Sequence, residues 1–149
     1  MTVTVRLTTG HPVFAPAARL LDEYRQHYGA NPAPEAVAAW MRDQLVTDRT
    51  RVYVAGTDDR ADGICTVAVV PASLTLRTAW LIRDLYVAAP ARRNGVAAAL
   101  LRCVEGEARA AGAHRLSLQT EAMNARALHL YGRAGFEPVS DVALLHRIL

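Results

Sequence analysis

Apolar and polar residues alternate in "VTVRL" (Val3 to Leu7), and this period of two predicts a strand. The apolar spacing then lengthens to three and four. It predicts a helix from about Ala15 to Tyr28 and a second from about Pro34, suited to a first helical turn, to Leu45. "RVYVAG" (Arg51 to Gly56) reads as a strand ending at an Asp-Asp turn, and "GICTVAVVP" (Gly63 to Pro71) as its hairpin partner. "LRTAWLIRDLYV" supplies the next strand, from about Leu76 to Val87. A helix from about Gly95 to Ala111 carries Val96, Leu100, Cys103 and Val104 near one face, with Gly112 as its C-terminal cap. There follow a strand at Arg115 to Thr120, a helix from about Asn124 to Arg133 capped by Gly135, and strands near Phe136 to Val139 and Val142 to Ile148. The order β-α-α-β-β-β-α-β-α-β-β predicts an α/β fold, a mixed central sheet with helices on both faces. The Gly-rich turn lacks G-x-G-x-x-G, so a doubly wound nucleotide fold is not expected.

The 149 residues amount to one domain, 1–149, with no internal repeat or long linker; "GANPAPE" and "GTDDRADG" are its most loop-like stretches. A domain of this size buries roughly 70% of the surface of its unfolded chain and needs no covalent staple. Cys65 and Cys103 lack C-x-x-C spacing, so buried free thiols are expected rather than a disulfide or a metal site. The N-terminus has no apolar signal-peptide core and no stretch is long enough to span a bilayer, which implies a cytoplasmic protein without a membrane partner. The 17 basic side chains are all arginine, as in a high-GC bacterial genome, so the net charge of +3 carries little weight. Acids and arginines are interspersed, without the basic run of a nucleic-acid footprint.

Chemistry first enters at "LYVAAPARRNGVAAALL" (Leu85 to Leu101). A strand that ends in a Gly-containing turn and feeds a helix presents free N–H groups and the positive end of the helix dipole. Gly95, Ala97 and Ala98 allow close approach of an anion, with Arg92 and Arg93 beside them and Asn94 and Val96 between. The same residues also fit an ordinary Asn-Gly turn followed by helix formers. Farther on, Asn124, Leu128 and Tyr131 fall at i, i+4 and i+7. An amide and a phenol then share a helix face about 10 Å apart. Asn124 also suits a helix N-cap, and Tyr131 a core aromatic with its hydroxyl at the rim.

"RDLYVAAPARRNGVAAALL" followed by "LSLQTEAMNARALHLYGRAGFEPV" resembles the GCN5-related N-acetyltransferases. The R/Q-x-x-G-x-G/A turn of that family is matched by Arg92, Gly95 and Ala97. Its N-x-x-A-x-x-L-Y-x-x-x-G-F pattern is matched by Asn124, Ala127, Leu130, Tyr131, Gly135 and Phe136. "LLDEYRQHYG" is similar to the first helix of a subgroup of small bacterial members, with His27 where an aromatic is usual. Ala97 replaces the commoner glycine, and Pro90 sits one place late.

The resemblance implies acetyl-CoA as acetyl donor. It implies that backbone at Leu85, Tyr86 and Val87 pairs with the pantetheine arm, and that a bulge in this segment aims an N–H at the acetyl carbonyl. It further implies that Arg92 to Ala98 hold the pyrophosphate, that Asn124 contacts the arm and that Tyr131 is the general acid at the sulfur. The amine acceptor must lose a proton, and Asp84, Glu121 and Glu23 are candidates to take it. For Asp84 an ion pair with Arg77 or Arg83 is the competing role. Tyr24, His27, Tyr28 and Trp40, with Glu121, are candidates for the acceptor site, which suits a small-molecule or peptide amine. A non-catalytic coenzyme A-binding module is the alternative function, and a homodimer is compatible with the sequence.

Overall fold

The computed structural model describes residues 2–149. Chain contacts divide it into a unit that ends at Gln119 and a second, Thr120–Leu149. The first unit contains β1 (Val3–Arg6), α1 (Phe14–His27), α2 (Pro34–Thr47), β2 (Thr50–Thr57) and β3 (Arg60–Ala72). It continues with β4 (Arg77–Val87), a 3-10 turn (Ala89–Ala91), α3 (Val96–Ala110) and β5 (Arg115–Leu118), while α4 (Ala125–Arg133) lies in the second unit. Among the described residues the strands form one sheet in chain order. β1 to β4 pair antiparallel, and β5 returns parallel to β4 after the crossover through α3. This is the mixed sheet expected from the pattern.

Neighbouring residues of β3 separate the two faces. Ile64 joins Val52 and Val54 in a core with Ala17, Leu21, Val37 and Met41 of α1 and α2. Gly63 faces α3: a Cβ there would lie 2.6 Å from a Val96 methyl and 3.0 Å from one of Leu100. The missing side chain lets α3 settle against the sheet, and the alternating positions Cys65 and Val67 are fully buried. Both cysteines are free, and burial pushes the Cys65 thiol up to about 12, so it stays protonated.

The join between α1 and α2 depends on a buried carboxylate. Asp22 accepts from Arg25 Nη1 at 2.9 Å, Gln26 Nε2 at 3.3 Å and the Ala33 N–H at 3.1 Å. Ala33 is the N-cap residue of α2, so one side chain satisfies an N–H at the second helix and sets its start relative to the first.

In the second unit, Asn124 caps α4 by accepting from the Ala127 N–H at 3.1 Å. The helix ends with Gly135 at φ +94°, while the Phe136 N–H reaches Tyr131 O at 3.0 Å. The Phe136 ring then meets Tyr131 edge-on at 6.0 Å, which fixes that ring on the helix end. Beyond α4 no strand forms among the described residues, although the pattern predicted two. Val142, Leu144 and Ile148 are exposed instead. Alternation describes a face, but a strand also needs a ladder partner.

Asp22→Ala should lower stability by about 2–3 kcal/mol, since it removes the charged acceptor of the Ala33 N–H and of Arg25 Nη1 from a buried position. Urea denaturation checks this, with Asp22→Asn expected to lose less; an unchanged midpoint would mean that the α1–α2 join rests on apolar contacts alone.

Candidate active site

The site begins with a change of phase in β4. Thr66 of β3 stands opposite Asp84, whereas Val67 stands opposite Ile82, leaving Arg83 as an extra residue on β4. Without that bulge, Ile82 and Asp84 would share a face. With it, Ile82 is buried beside Val67 on the α3 side, and Asp84 turns with Thr66 toward α1. The resemblance implied a bulge within Leu85 to Val87. The structure has it earlier, at Arg83, where the phase change reconciles a buried isoleucine with a carboxylate.

Past the bulge, β4 has an unpaired edge. Among the described residues, β5 pairs with it only from Ala79 to Ile82. Along an antiparallel strand, the N–H and C=O of successive residues address alternate edges. Ala88 donates to Asp62 O at 2.8 Å, so Ala88 and Tyr86 address β3, and Leu85 and Val87 turn their N–H and C=O to the open side. An extended, amide-rich ligand can pair there as another strand would.

At the following turn Arg93 and Gly95 are left-handed, with φ of +66° and +77°. Gly95 is the N-cap of α3, and among the described residues no side chain caps it and no acid lies in the first helical turn. The N–H groups of Val96, Ala97 and Ala98 precede the first intrahelical donor, Ala99, which bonds Gly95 O at 3.0 Å. They form a compact set of donors at the positive end of a four-turn helix. Asn94 is held by its own turn, donating to Ala91 O at 3.4 Å, and Arg93 is exposed. Arg92 folds back: its Nε donates to Val87 O at 3.1 Å and its guanidinium lies 5.6 Å from the Tyr86 ring centre.

On the face toward α1, Tyr24 donates to Asp84 Oδ1 at 2.9 Å and Thr66 Oγ1 donates to Asp84 Oδ2. Among the described residues Asp84 makes no ion pair; Arg77, one proposed partner, donates to Gly112 O at 2.9 Å and Ala113 O at 3.0 Å. The strand phase explains this correction, because Asp84 points at α1 rather than along its own edge. Burial, and then the Asp84 charge, raise the Tyr24 pKa above the usual 10.0, so this phenol remains a donor throughout the neutral range. The Tyr24–Asp84 bond therefore contributes fully below the unfolded tyrosine value and is lost only as pH rises through the higher folded one.

Around it lies a connected set of rings. Tyr24 is 5.2 Å from Tyr28 and 5.5 Å from Tyr86, while His27 is 5.3 Å from Tyr28 and 6.0 Å from Tyr86. The Tyr86 hydroxyl donates to Glu23 Oε1 at 3.0 Å, and burial together with that carboxylate raises its pKa. Trp40 of α2 stands outside this ring cluster, half exposed. Sequence reasoning missed Thr66 and the side chain of Tyr86. The signal for Thr66 was present: it is the lone hydroxyl in the buried run "GICTV", and it is 1% exposed.

Asn124, Tyr131 and Glu121 belong to the second unit. The Oδ1 of Asn124 is used in the helix cap, which leaves its amide N–H groups the capacity to donate. Tyr131 is half-buried on the last turn of α4, and Glu121 is exposed, with Thr120 Oγ1 at 3.5 Å from its carboxylate. Among the described residues no group of histidine, cysteine or acidic side chains could hold a metal ion, and no helix is long and apolar enough to cross a membrane.

The chain aligns over 135 residues, at 27% identity, with the protein of Bacillus subtilis (strain 168) named uncharacterized N-acetyltransferase YhfO, covering 91% of this chain and 89% of that one. A crystal structure of a probable acetyltransferase matches with a TM-score of 0.88 at 28% identity, over 100% of this chain and 97% of the other. The aminoglycoside acetyltransferase meta-AAC0020 from an uncultured soil metagenomic sample, solved with sisomicin, shares the fold with a TM-score of 0.82. It is 18% identical over 99% of this chain and 96% of its own. The acetyltransferase (GNAT) family model matches residues 17–136, which takes in most of α1, the β4 edge, the Gly95 turn and α4, and the chain belongs to that family of N-acetyltransferases.

Proposed function

We propose that this N-acetyltransferase uses acetyl-CoA, held along the open edge of β4 and at the Gly95 turn, to acetylate a primary amine, with Asp84 as proton acceptor and Tyr131 as general acid. The observation that carries this reading is the placement of Asp84. Both its oxygens are held by hydroxyl donors, on the aromatic face of β4, one residue before the stretch Leu85 to Val87, whose outer edge β5 does not cover. The donor-rich edge and turn suit an amide chain followed by a diphosphate. Acetyl-CoA, when bound, supplies a thioester carbonyl open to attack by an amine.

The residues of the chain then divide the work. Leu85 and Val87 offer N–H and C=O groups to the arm, and an N–H of this segment donates to the carbonyl oxygen as negative charge develops there. The turn from Arg92 to Ala98 holds the phosphates, and Asn124 contacts the arm. Tyr24, His27 and Tyr28, with Glu121, position the acceptor. An alkylammonium with a pKa near 10.4 must first be neutralised, so Asp84, directly or through water, draws that proton. As the N–C bond forms and the C–S bond breaks, the Tyr131 phenol donates its proton to the departing sulfur, and the second proton that the nitrogen sheds on becoming an amide passes through solvent to restore the phenol. Tyr24 and Thr66 fix the direction of the Asp84 carboxylate.

Gly95→Glu should abolish acetyl-CoA binding in calorimetry while circular dichroism stays native. The space beside Gly95 is open, so the damage comes from left-handed strain and from an acid placed at an anion site. Affinity equal to wild type would remove the turn from the site, and Arg93→Ala should cost less than Gly95→Glu.

Tyr131→Phe keeps the ring and removes the phenol. Turnover should fall about 100-fold with cofactor affinity retained, as expected for loss of a general acid. Turnover like that of wild type would make Tyr131 a packing residue on Phe136.

Asp84→Asn should lose activity chiefly below the pKa of the amine and regain part of it at higher pH, where more acceptor is already neutral. A pH-rate profile of unchanged shape, accompanied by lower stability, would reduce Asp84 to a structural acceptor for Tyr24 and Thr66.

A further inference from the structure

Two features of the cofactor edge make competing demands on one atom. Val87 O lies on the open side of β4, where a strand-like ligand would place an N–H. The structure puts Arg92 Nε on that same oxygen at 3.1 Å. The guanidinium is held from two further directions, by the Tyr86 hydroxyl 3.5 Å from Nη2 and by the Tyr86 ring 5.6 Å away. Tyr86 is in turn tied to Glu23 of α1 at 3.0 Å. Arg92 thus does not project from the Gly95 turn as a loose cation. It lies back along the strand, on the edge that a ligand would use.

We propose that Arg92 is a latch on this edge, exchanging between Val87 and Tyr86 in one position and a diphosphate at the Gly95 turn in the other. The inference rests on the edge and the turn being the acetyl-CoA site. A neutral carbonyl is a weaker partner for a guanidinium than a phosphate, whose oxygens accept charge-assisted and often paired hydrogen bonds. The diphosphate end of the ligand therefore draws Arg92 off the strand and frees Val87 O for the arm. Arm and diphosphate become coupled: each binds better when the other is present, because one displacement serves both.

Acetylpantetheine, which has the arm but no diphosphate, separates this role from simple phosphate binding. In calorimetry, Arg92→Ala should bind acetylpantetheine about 5-fold tighter than wild type, as expected for a single hydrogen bond no longer displaced, and acetyl-CoA about 10-fold weaker. In the wild type, inorganic pyrophosphate should raise the affinity for acetylpantetheine by about 3-fold or more, and in Arg92→Ala it should not. Arg92 is exposed and circular dichroism checks its variant for folding, while the pyrophosphate experiment on the wild type needs no variant. If Arg92→Ala binds acetylpantetheine no tighter and pyrophosphate has no effect, Arg92 is a phosphate ligand only and the latch is overturned. If the wild type fails to bind acetyl-CoA at all, the reading of the site beneath the latch fails with it.

Discussion

Backbone N–H and C=O groups need partners, and β4 is built so that half of its outer edge has none from the sheet. From Ala79 to Ile82 the strand is paired on both sides; from Arg83 onward β5 is no longer there and only β3 remains. Most of what is chemically distinctive in the first unit follows from that loss. The open edge supplies alternating donors and acceptors at Leu85 and Val87. The strand leads through a short 3-10 turn into α3, whose first N–H groups are likewise without helical partners. Edge and helix end lie in sequence along one stretch of chain, so the strand groups that β5 leaves uncovered are followed directly by the helix-end donors.

The bulge at Arg83 lets one strand serve two purposes. β4 must bury Trp80 and Ile82 under α3, and both are nearly inaccessible to solvent. It must also present Asp84 and Tyr86 to α1. A strictly alternating strand puts Ile82, Asp84 and Tyr86 on one side, which would bury the carboxylate among apolar residues at heavy desolvation cost. One inserted residue changes the phase, and Tyr24 and Thr66 then satisfy both oxygens of Asp84. α1 is suited to meet it: Ala17, Ala18 and Leu21 face the core, and Glu23, Tyr24 and His27 follow on the side toward β4. Asp22, between the two stripes, fixes the next helix.

Legibility in the sequence divides along physical lines. Helices and long strands were readable because periodicity reports burial directly: α1, α2, β4 and α3 begin and end within about two residues of the expected bounds. The Gly95 turn was readable in part, because glycine marks the left-handed position it occupies at φ +77°, whereas the left-handed Arg93 beside it carries no such mark. Features that depend on register were not. Neither the bulge nor the pairing of Asp84 with Thr66 can be seen until β3 and β4 are laid side by side, which is why an ion pair with Arg77 or Arg83 looked as plausible as any other role. The two strands expected after α4 failed for a related reason, since a ladder partner is not written in the segment itself. Asn124 combines two readings, for its oxygen caps α4 as a common N-cap does while its N–H groups keep the capacity to donate.

Adjacent arginines with different backbone conformations end up with different duties. Arg92 is extended, with φ −64° and ψ 153°, and its side chain returns to β4; Arg93 is left-handed and its side chain is exposed. In a chain that uses arginine for every basic side chain, the choice at position 92 has a physical consequence. A guanidinium can donate through Nε to Val87 O, approach the Tyr86 hydroxyl through Nη2 and lie over the ring with its plane, whereas an ammonium is a point charge without that fork. The turn can thus keep its nearest cation docked on the strand rather than spread through solvent. Tyr86, which carries that cation on one side and Glu23 on the other, joins the outer edge of β4 to the aromatic face of α1.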